Sequence, residues 1–458
     1  MNTPICGFVQ NYAAGGAMRF HMPGHKGRAR LGPEPLDITE IAGADVLYAP
    51  ESIIRESEEN AALLFGSART VYATEGSSLC IRAMVYLAEM DARRKGFRQA
   101  RIAAGRNAHR VFLEAAALLD TGLIWMNSGD DLLFNTLDPE AVEELFRDPD
   151  TAPTAVYVTS PDYLGNRVDL KKLADICHRH DALLLVDNAH GAYLKFLADG
   201  MHPLDLGADL CCDSAHKTLP VLTGGAYLHF GKDCPEHLPG MAERAMSLFA
   251  STSPSWLILQ SLDAANALLA GSYQEQIRCM AEKLTKLKAR LRSGGWPMTG
   301  DEALKLTLCP KEMGYRGEEL ERLLAEHRCI CEFADPDFTV LMFTPETTDA
   351  ELKALEEILC TIPRRPAIRE KPPIPGKPAP VFSPRETMLM PFERVPTEDS
   401  VGRILASPSV SCPPAVPIVI CGERIDENAR SLFRYYGIEQ CDVITERDVV
   451  SKRQNVLS

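Results

Sequence analysis

Between residues 65 and 230 the chain alternates short, uniformly apolar runs with segments whose apolar residues recur at helical spacing. The runs "RTVYATE" (69–75), "ARIAAG" (100–105), "TGLIWMN" (121–127), "TAVYVTS" (154–160), "ALLLVDNA" (182–189), "ADLCCDS" (208–214) and "GAYLHF" (225–230) each read as a strand. A sheet with one wet face would alternate polar and apolar positions. These runs do not, so both faces need cover. Amphipathic segments such as "DPEAVEELFRD" and "DLKKLADICHRHD" supply it. The pattern predicts an α/β layer, with helices on both faces of a mainly parallel, seven-stranded sheet.

After residue 270 the pattern changes. A long charged helix, "SYQEQIRCMAEKLTKLKARLRS", leads into "ALKLTLC", a helix, "CICEFAD", "FTVLMFT" and the helix "TTDAELKALEEILC". This is a small α+β domain. Prolines crowd "PRRPAIREKPPIPGKPAPVFSP" too densely for a helix or a central strand, so 363–384 reads as a linker. The remainder shows one strand, "AVPIVICGE", and one helix, "DENARSLFRYYG". The expected division is an N-terminal segment (1–30), a large α/β domain (31–270), the small domain (271–362), the linker (363–384) and a C-terminal α+β unit (385–458).

Composition adds bounds. At 458 residues the chain exceeds what one core supports. Its 49 basic and 63 acidic residues give a formal charge of -14, which argues against a general nucleic-acid binder and suits a cationic substrate. The 14 cysteines form no CxxC or Cys/His metal spacing and read as buried, reduced thiols, with no metal site expected. The first twenty residues lack a signal peptide's basic start and apolar stretch, and no window approaches the length of a membrane span. The expectation is a cytoplasmic protein with neither a membrane nor a nucleic-acid partner.

Ligands of open α/β sheets sit outside the carboxyl ends of the strands, and four polar clusters occur there. In "YATEGSSLCIRAM", Gly76, Ser77 and Ser78 open a helix, either as a phosphate cradle or as a plain serine cap. In "GRNAHRVF", His109 follows a strand end, as a functional group or as ordinary surface or core. In "LLLVDNAHGAY", Asp187 ends the most apolar strand, ahead of Ala189 and His190. It either meets a cation or caps the next turn. In "DLCCDSAHKTLP", Ser214, His216 and Lys217 end the next strand. Burying an unpaired ammonium is costly, so an inward Lys217 needs a purpose. An amine, a carboxylate for a pyridinium nitrogen, a phosphate cradle and a stacking ring together make up what pyridoxal 5'-phosphate requires. Lys217 would then bind its aldehyde and Asp187 its ring nitrogen.

The chain resembles the ornithine/lysine/arginine decarboxylase family of fold-type I pyridoxal phosphate enzymes. The resemblance rests on "RFHMPGHKGR" (19–28), "DITEIAGADVLYAP" (37–50), "RNAHR" (106–110), "VDNAHGAY" (186–193), "DSAHKTLPVLTGGAYLH" (213–229) and "STSPSW" (251–256), in the family's order. It implies decarboxylation of a basic amino acid (arginine, lysine or ornithine). Lys217 would be the Schiff-base lysine, Asp187 the ring-nitrogen partner and His109 the stacking ring, with Ala189 and His190 beside the cofactor. Ser77, Ser78, Ser214 and His216 would hold the phosphate, and Ser251 or Thr252 would reach it across a dimer interface. Lys217 or His216 would return the proton. The resemblance also implies a homodimer or larger assembly with shared sites, in a short form without an N-terminal receiver-like domain.

The chain departs from the family's pattern at Asn188 for glutamate, Glu75 for asparagine, Tyr193 for histidine, and near the slim pair Gly224-Gly225, where bulkier polar residues are usual. Such changes alter local charge and thereby substrate preference. Asp45 and Glu423 are candidates for the substrate's cationic tail, or else solvated surface carboxylates. Two other functions stay open. One is a different pyridoxal phosphate reaction such as transamination, for which Arg316 or Arg322 would grip a carboxylate. The other is a non-catalytic homologue that keeps the cofactor.

Overall fold

The computed structural model describes residues 1–126, 137–198, 200–376, 378–412 and 416–447. All seven expected strands form: β1 (Arg69–Ala73), β2 (Arg101–Gly105), β3 (Gly122–Met126), β4 (Ala155–Thr159), β5 (Leu183–Asp187), β6 (Leu210–Asp213) and β7 (Ala226–Phe230). The sheet order is β1-β7-β6-β5-β4-β2-β3. The β2/β3, β4/β5 and β5/β6 pairs are parallel, whereas β7 runs antiparallel to both of its neighbours. Every residue of β5 and of β7 is buried, which explains their unbroken apolar runs.

The chain divides into two compact units. The first comprises Met1–Ala100, Thr154–Ser160 and Asp169–Met280; the second comprises Arg101–Pro153, Pro161–Val168 and Ala281–Ser458. In the first, the helix Ser77–Arg94 packs against β6 and β7, and the helix Leu170–Arg179 against β5. The second of these helices starts at Asp169, whose side chain accepts from the Lys172 amide. Phe65 lies deep in this unit. Its ring centroid is 5.3 Å from Phe196, 5.3 Å from Tyr227, 4.5 Å from His229 and 5.5 Å from His202. Two histidines are thus core rings, and their nitrogens must find partners inside the protein.

The second unit carries a four-stranded antiparallel sheet, ordered β10-β11-β9-β8, from β8 (Met298–Thr299), β9 (Lys305–Leu308), β10 (Phe333–Ala334) and β11 (Thr339–Met342). The helix Asp349–Thr361 begins with a capping box between Thr348 and Glu351. Phe338, Val340, Leu405, Val419, Leu432, Phe433 and Val443 share one buried cluster. The C-terminal part is richer than the expected single strand and helix. Besides the helix Glu427–Tyr435, it holds β12 (Phe392–Pro396) paired with β15 (Gln440–Ile444), and β13 (Ser409–Cys412) paired with β14 (Val416–Ile420). In β12, "FERVP" leaves four of five residues exposed, so no buried face marked it as a strand.

Candidate active site

The carboxyl ends of β5 and β6 place the first reactive groups. These strands pair in register, with Asp187 opposite Cys212. One residue beyond Cys212, Asp213 ends β6; Ser214 then caps a four-residue helical turn, Ala215–Thr218. That turn brings the half-buried Lys217 back toward the end of β5, where its Nζ lies 3.0 Å from His190 Nε2. The lysine does not face open solvent. It meets an imidazole that follows Asp187 by three residues.

Asp187 is 3% exposed. Its Oδ2 accepts from the Tyr157 hydroxyl at 3.1 Å, and its Oδ1 from the Ala189 amide at 3.1 Å and the Cys212 thiol at 3.6 Å. All three donors are neutral. They orient the carboxylate and leave its charge uncompensated, which a cationic ring nitrogen would correct.

The loop after β1 supplies the anion-binding end. Gly76 precedes the 18-residue helix Ser77–Arg94, makes no side-chain cap, and no acidic residue occupies the first turn. Amide groups and two serine hydroxyls at such a helix start suit a phosphate. Ser214 Oγ donates to Ser77 Oγ at 2.8 Å, tying the cradle to the lysine-bearing turn. The Gly76 amide donates to the Gly224 carbonyl at 2.7 Å. A Cβ on Gly224 would come within 2.8 Å of the Thr74 carbonyl oxygen, and one on Gly225 within 2.3 Å of Val221 Cγ1. The slim glycine pair is therefore required by how closely this loop approaches.

His216 turns its Nδ1 to the Gly225 carbonyl at 3.0 Å. A carbonyl only accepts, so Nδ1 carries a proton. Burial, with Lys217 nearby, lowers the imidazole pKa and keeps the ring neutral, leaving Nε2 as an acceptor. His109, in the second unit, follows β2 as the N-cap of the helix Arg110–Leu119, its Nδ1 accepting from the Val111 amide at 3.3 Å. Ser251 and Thr252 are exposed, and the Ser251 amide donates to Glu75 Oε1 at 2.7 Å. Glu75 thus anchors the "STSPSW" segment beside the cradle. Ala189 and His190 are buried, and Tyr193 is fully so.

Three polar residues that the sequence did not single out lie beneath these groups. Asp213 Oδ2 accepts from His202 Nε2 at 2.9 Å and His229 Nε2 at 3.3 Å, and its Oδ1 accepts from Asn188 Nδ2 at 2.7 Å. Burial alone would raise the Asp213 carboxyl, but His202 and the bonds from both imidazoles hold it well below the usual carboxylate range. Donor atoms of His202, Cys211 and Asp213 lie within 4.8 Å of one another. Yet His202 Nδ1 accepts from the Leu204 amide, so its Nε2 carries the proton given to Asp213. This is a hydrogen-bonded cluster. Asn188 now makes physical sense as well. A glutamate there would set one carboxylate against another, whereas the amide donates. Gly191 leaves room for it, since a Cβ there would lie 2.0 Å from Asn188 Oδ1.

A family model described as "Orn/Lys/Arg decarboxylase, major domain" matches residues 3–307, and the family's C-terminal domain model matches 375–441. The chain belongs to the Orn/Lys/Arg decarboxylase family. The arginine decarboxylases of Halalkalibacterium halodurans and of Bacillus subtilis are each 28% identical to it, over 94% of this chain and 93% of their own length. In fold it is similar to lysine decarboxylase A from Pseudomonas aeruginosa, with a TM-score of 0.78 and 17% identity over 96% of this chain and 80% of that one. The Francisella novicida lysine decarboxylase is comparable, with a TM-score of 0.75 and 17% identity over 97% of this chain and 81% of that one. As a member of this family the protein is a pyridoxal-phosphate-dependent decarboxylase of basic amino acids with the fold-type I architecture. The amine, the uncompensated carboxylate and the uncapped helix start fit that cofactor's aldehyde, ring nitrogen and phosphate.

Two expectations are corrected. Asp45 and Glu423 are 5% and 4% exposed, so neither is a solvated surface group. Nor is either available to a substrate's tail. Asp45 accepts from the amides of Val46, Glu51, Ser52 and Ile54 at 2.8–3.1 Å, which opens the helix Ile53–Phe65. Glu423 takes Arg106 through two bonds of 2.7 and 3.0 Å and the Ile420 amide at 2.8 Å. Arg316 and Arg322 are likewise turned to local partners, Glu370 and the Glu318 carbonyl.

Proposed function

We propose that this decarboxylase acts on arginine. The curated relatives that match 94% of its length are named for that activity. Bound pyridoxal phosphate supplies a conjugated, electron-withdrawing ring that accepts the electron pair left when the carboxylate departs. The residues of this chain do the rest. Lys217 offers the amine that binds the cofactor's aldehyde; the observation that carries this is its Nζ held 3.0 Å from His190 on the turn after β6. Asp187 keeps a proton on the ring nitrogen, because its donors are neutral and its charge favours a cation. Ser77, Ser78 and Ser214 would hold the phosphate. A neutral His216 with its Nδ1 proton committed to Gly225 is a poor proton source. Lys217 is therefore the group that returns the proton to the α-carbon.

The working enzyme is a homodimer with shared sites. Supporting this, the stretch around the Pro-Gly-His-Lys motif exposes Met18, Phe20 and Leu31 at 81%, 88% and 92%, apolar surface that suits burial against a second copy. All 13 cysteines with described side chains are free, which fits a reducing, cytoplasmic compartment. No helix among the described residues is long and apolar enough to cross a membrane. The test is carbon dioxide release from arginine, lysine and ornithine assayed in parallel. Arginine is expected to give the highest kcat/KM, and a clear preference for lysine or ornithine would overturn the assignment.

A further inference from the structure

Tyr157 stands in the middle of β4, inside the apolar run "TAVYVTS", where a tyrosine reads as packing alone. It pairs with Leu185, two residues before Asp187 on the parallel neighbour β5. Alternate residues of a strand share a face, so the ring lies on the Asp187 face of the sheet. Its length carries the hydroxyl forward to Asp187 Oδ2, at 3.1 Å. The side chain is fully buried. A phenylalanine would fill nearly the same volume without burying a hydroxyl, which is costly unless bonded. The phenol has one proton to give, and Asp187 receives it. Burial first, and then the Asp187 charge, push the phenol well above its ordinary range, so it stays a donor. The thiols of Cys80, Cys211 and Cys212, which also feel the Asp187 charge, are pushed up by burial and stay neutral.

We propose that Tyr157 is a positioning residue for the decarboxylation, acting through Asp187 to set how tightly that carboxylate grips the proton of the cofactor's ring nitrogen. The inference rests on the reading of Asp187 as the partner of that nitrogen. On Oδ1 the Ala189 amide and the Cys212 thiol fix the orientation of the carboxylate. On Oδ2 the Tyr157 hydroxyl stabilises its ionised form, an effect that a low dielectric strengthens. The shared proton then stays on nitrogen, where it draws electrons, instead of passing to oxygen.

The test loads the enzyme with pyridoxal phosphate carrying ¹⁵N in its ring and follows the nitrogen signal against pH by NMR. Without the hydroxyl, the carboxylate becomes more basic and holds the shared proton harder. Tyr157→Phe is therefore expected to raise the pH midpoint at which that proton is lost by about one unit, a tenfold change in the equilibrium. Replacing Tyr157 with 3-fluorotyrosine, a stronger donor that keeps the ring, should lower the midpoint. Opposite displacements at one position distinguish tuning from damage to the site. Val156→Ala, on the other face of β4, should lower the melting temperature and leave the midpoint in place. Asp187→Asn removes the anionic partner and should lower the midpoint. A wild-type midpoint in Asp187→Asn overturns the reading of Asp187 and this proposal with it. If Asp187→Asn lowers the midpoint but Tyr157→Phe leaves it unchanged or lowers it, the proposal alone is overturned, as it is by a midpoint that fluorination leaves unchanged or raises.

Discussion

Asp187 and Asp213 end neighbouring strands of one sheet, both almost wholly buried, yet their surroundings differ in kind. Asp213 takes two imidazole N–H groups, an amide and the Cys211 thiol. Asp187 takes a phenol, a backbone amide and a thiol. The first set saturates a carboxylate and locks it in place. The second orients a carboxylate through fewer bonds, with the Tyr157 hydroxyl on Oδ2, and so leaves that oxygen room for one more N–H donor. A buried acid is thus recognised as functional by what its partners leave undone.

Removing the Asp187 charge breaks that contrast most sharply. Asp187→Asn is expected to lower kcat for arginine by roughly 10³-fold, in the range lost when a positioned proton-holding group is removed. Its melting temperature should stay near that of the wild type. A variant that instead unfolds while its residual activity persists would reverse the two roles. Asp213→Asn should do the opposite. Stability is expected to fall by about 3 kcal/mol in denaturant titration, since it breaks a buried cluster and leaves imidazole donors poorly matched.

Asn188→Asp should have a smaller effect, a loss of about 2 kcal/mol. It would set a carboxylate against Asp213, raising the folded-state pKa of one acid in the pair. That penalty is absent at low pH and grows as pH rises above the ordinary carboxylate value of about 4. Stability measured against pH should show the variant approaching the wild type on acidification. The smallest effect belongs to the wild type itself. Asp213 has a lowered pKa when folded, so its contribution is present above about pH 4 and is lost as pH falls toward its folded value. The Asp213→Asn variant should therefore show a flatter acid limb.

The sequence made the large sheet legible because its strands are buried on both faces. The run "ALLLVDNA" (182–189) became β5 at Leu183–Asp187, and "GAYLHF" (225–230) became β7 at Ala226–Phe230. β12 escaped because its side chains are mostly exposed, and pairing with β15, rather than a buried face, holds it as a strand. At the site, Asp187, Lys217 and the serines were readable because each stands at a strand end or a helix start. The Asp213 cluster was not. His202 and His229 lie 11 and 16 residues from Asp213, and His229 sits inside an apolar strand where a lone histidine looks like core. Asp45 and Glu423 were misjudged for the same reason. Their partners, four backbone amides and Arg106 from 317 residues away, exist only in the fold.

The most direct test of the central claim is to find where the cofactor attaches. Protein loaded with pyridoxal phosphate is reduced with borohydride, digested, and the tagged peptide identified by mass spectrometry. The tag is expected on Lys217, with Lys217→Ala carrying none. A tag on any other lysine, or a fully labelled Lys217→Ala protein, would contradict the account.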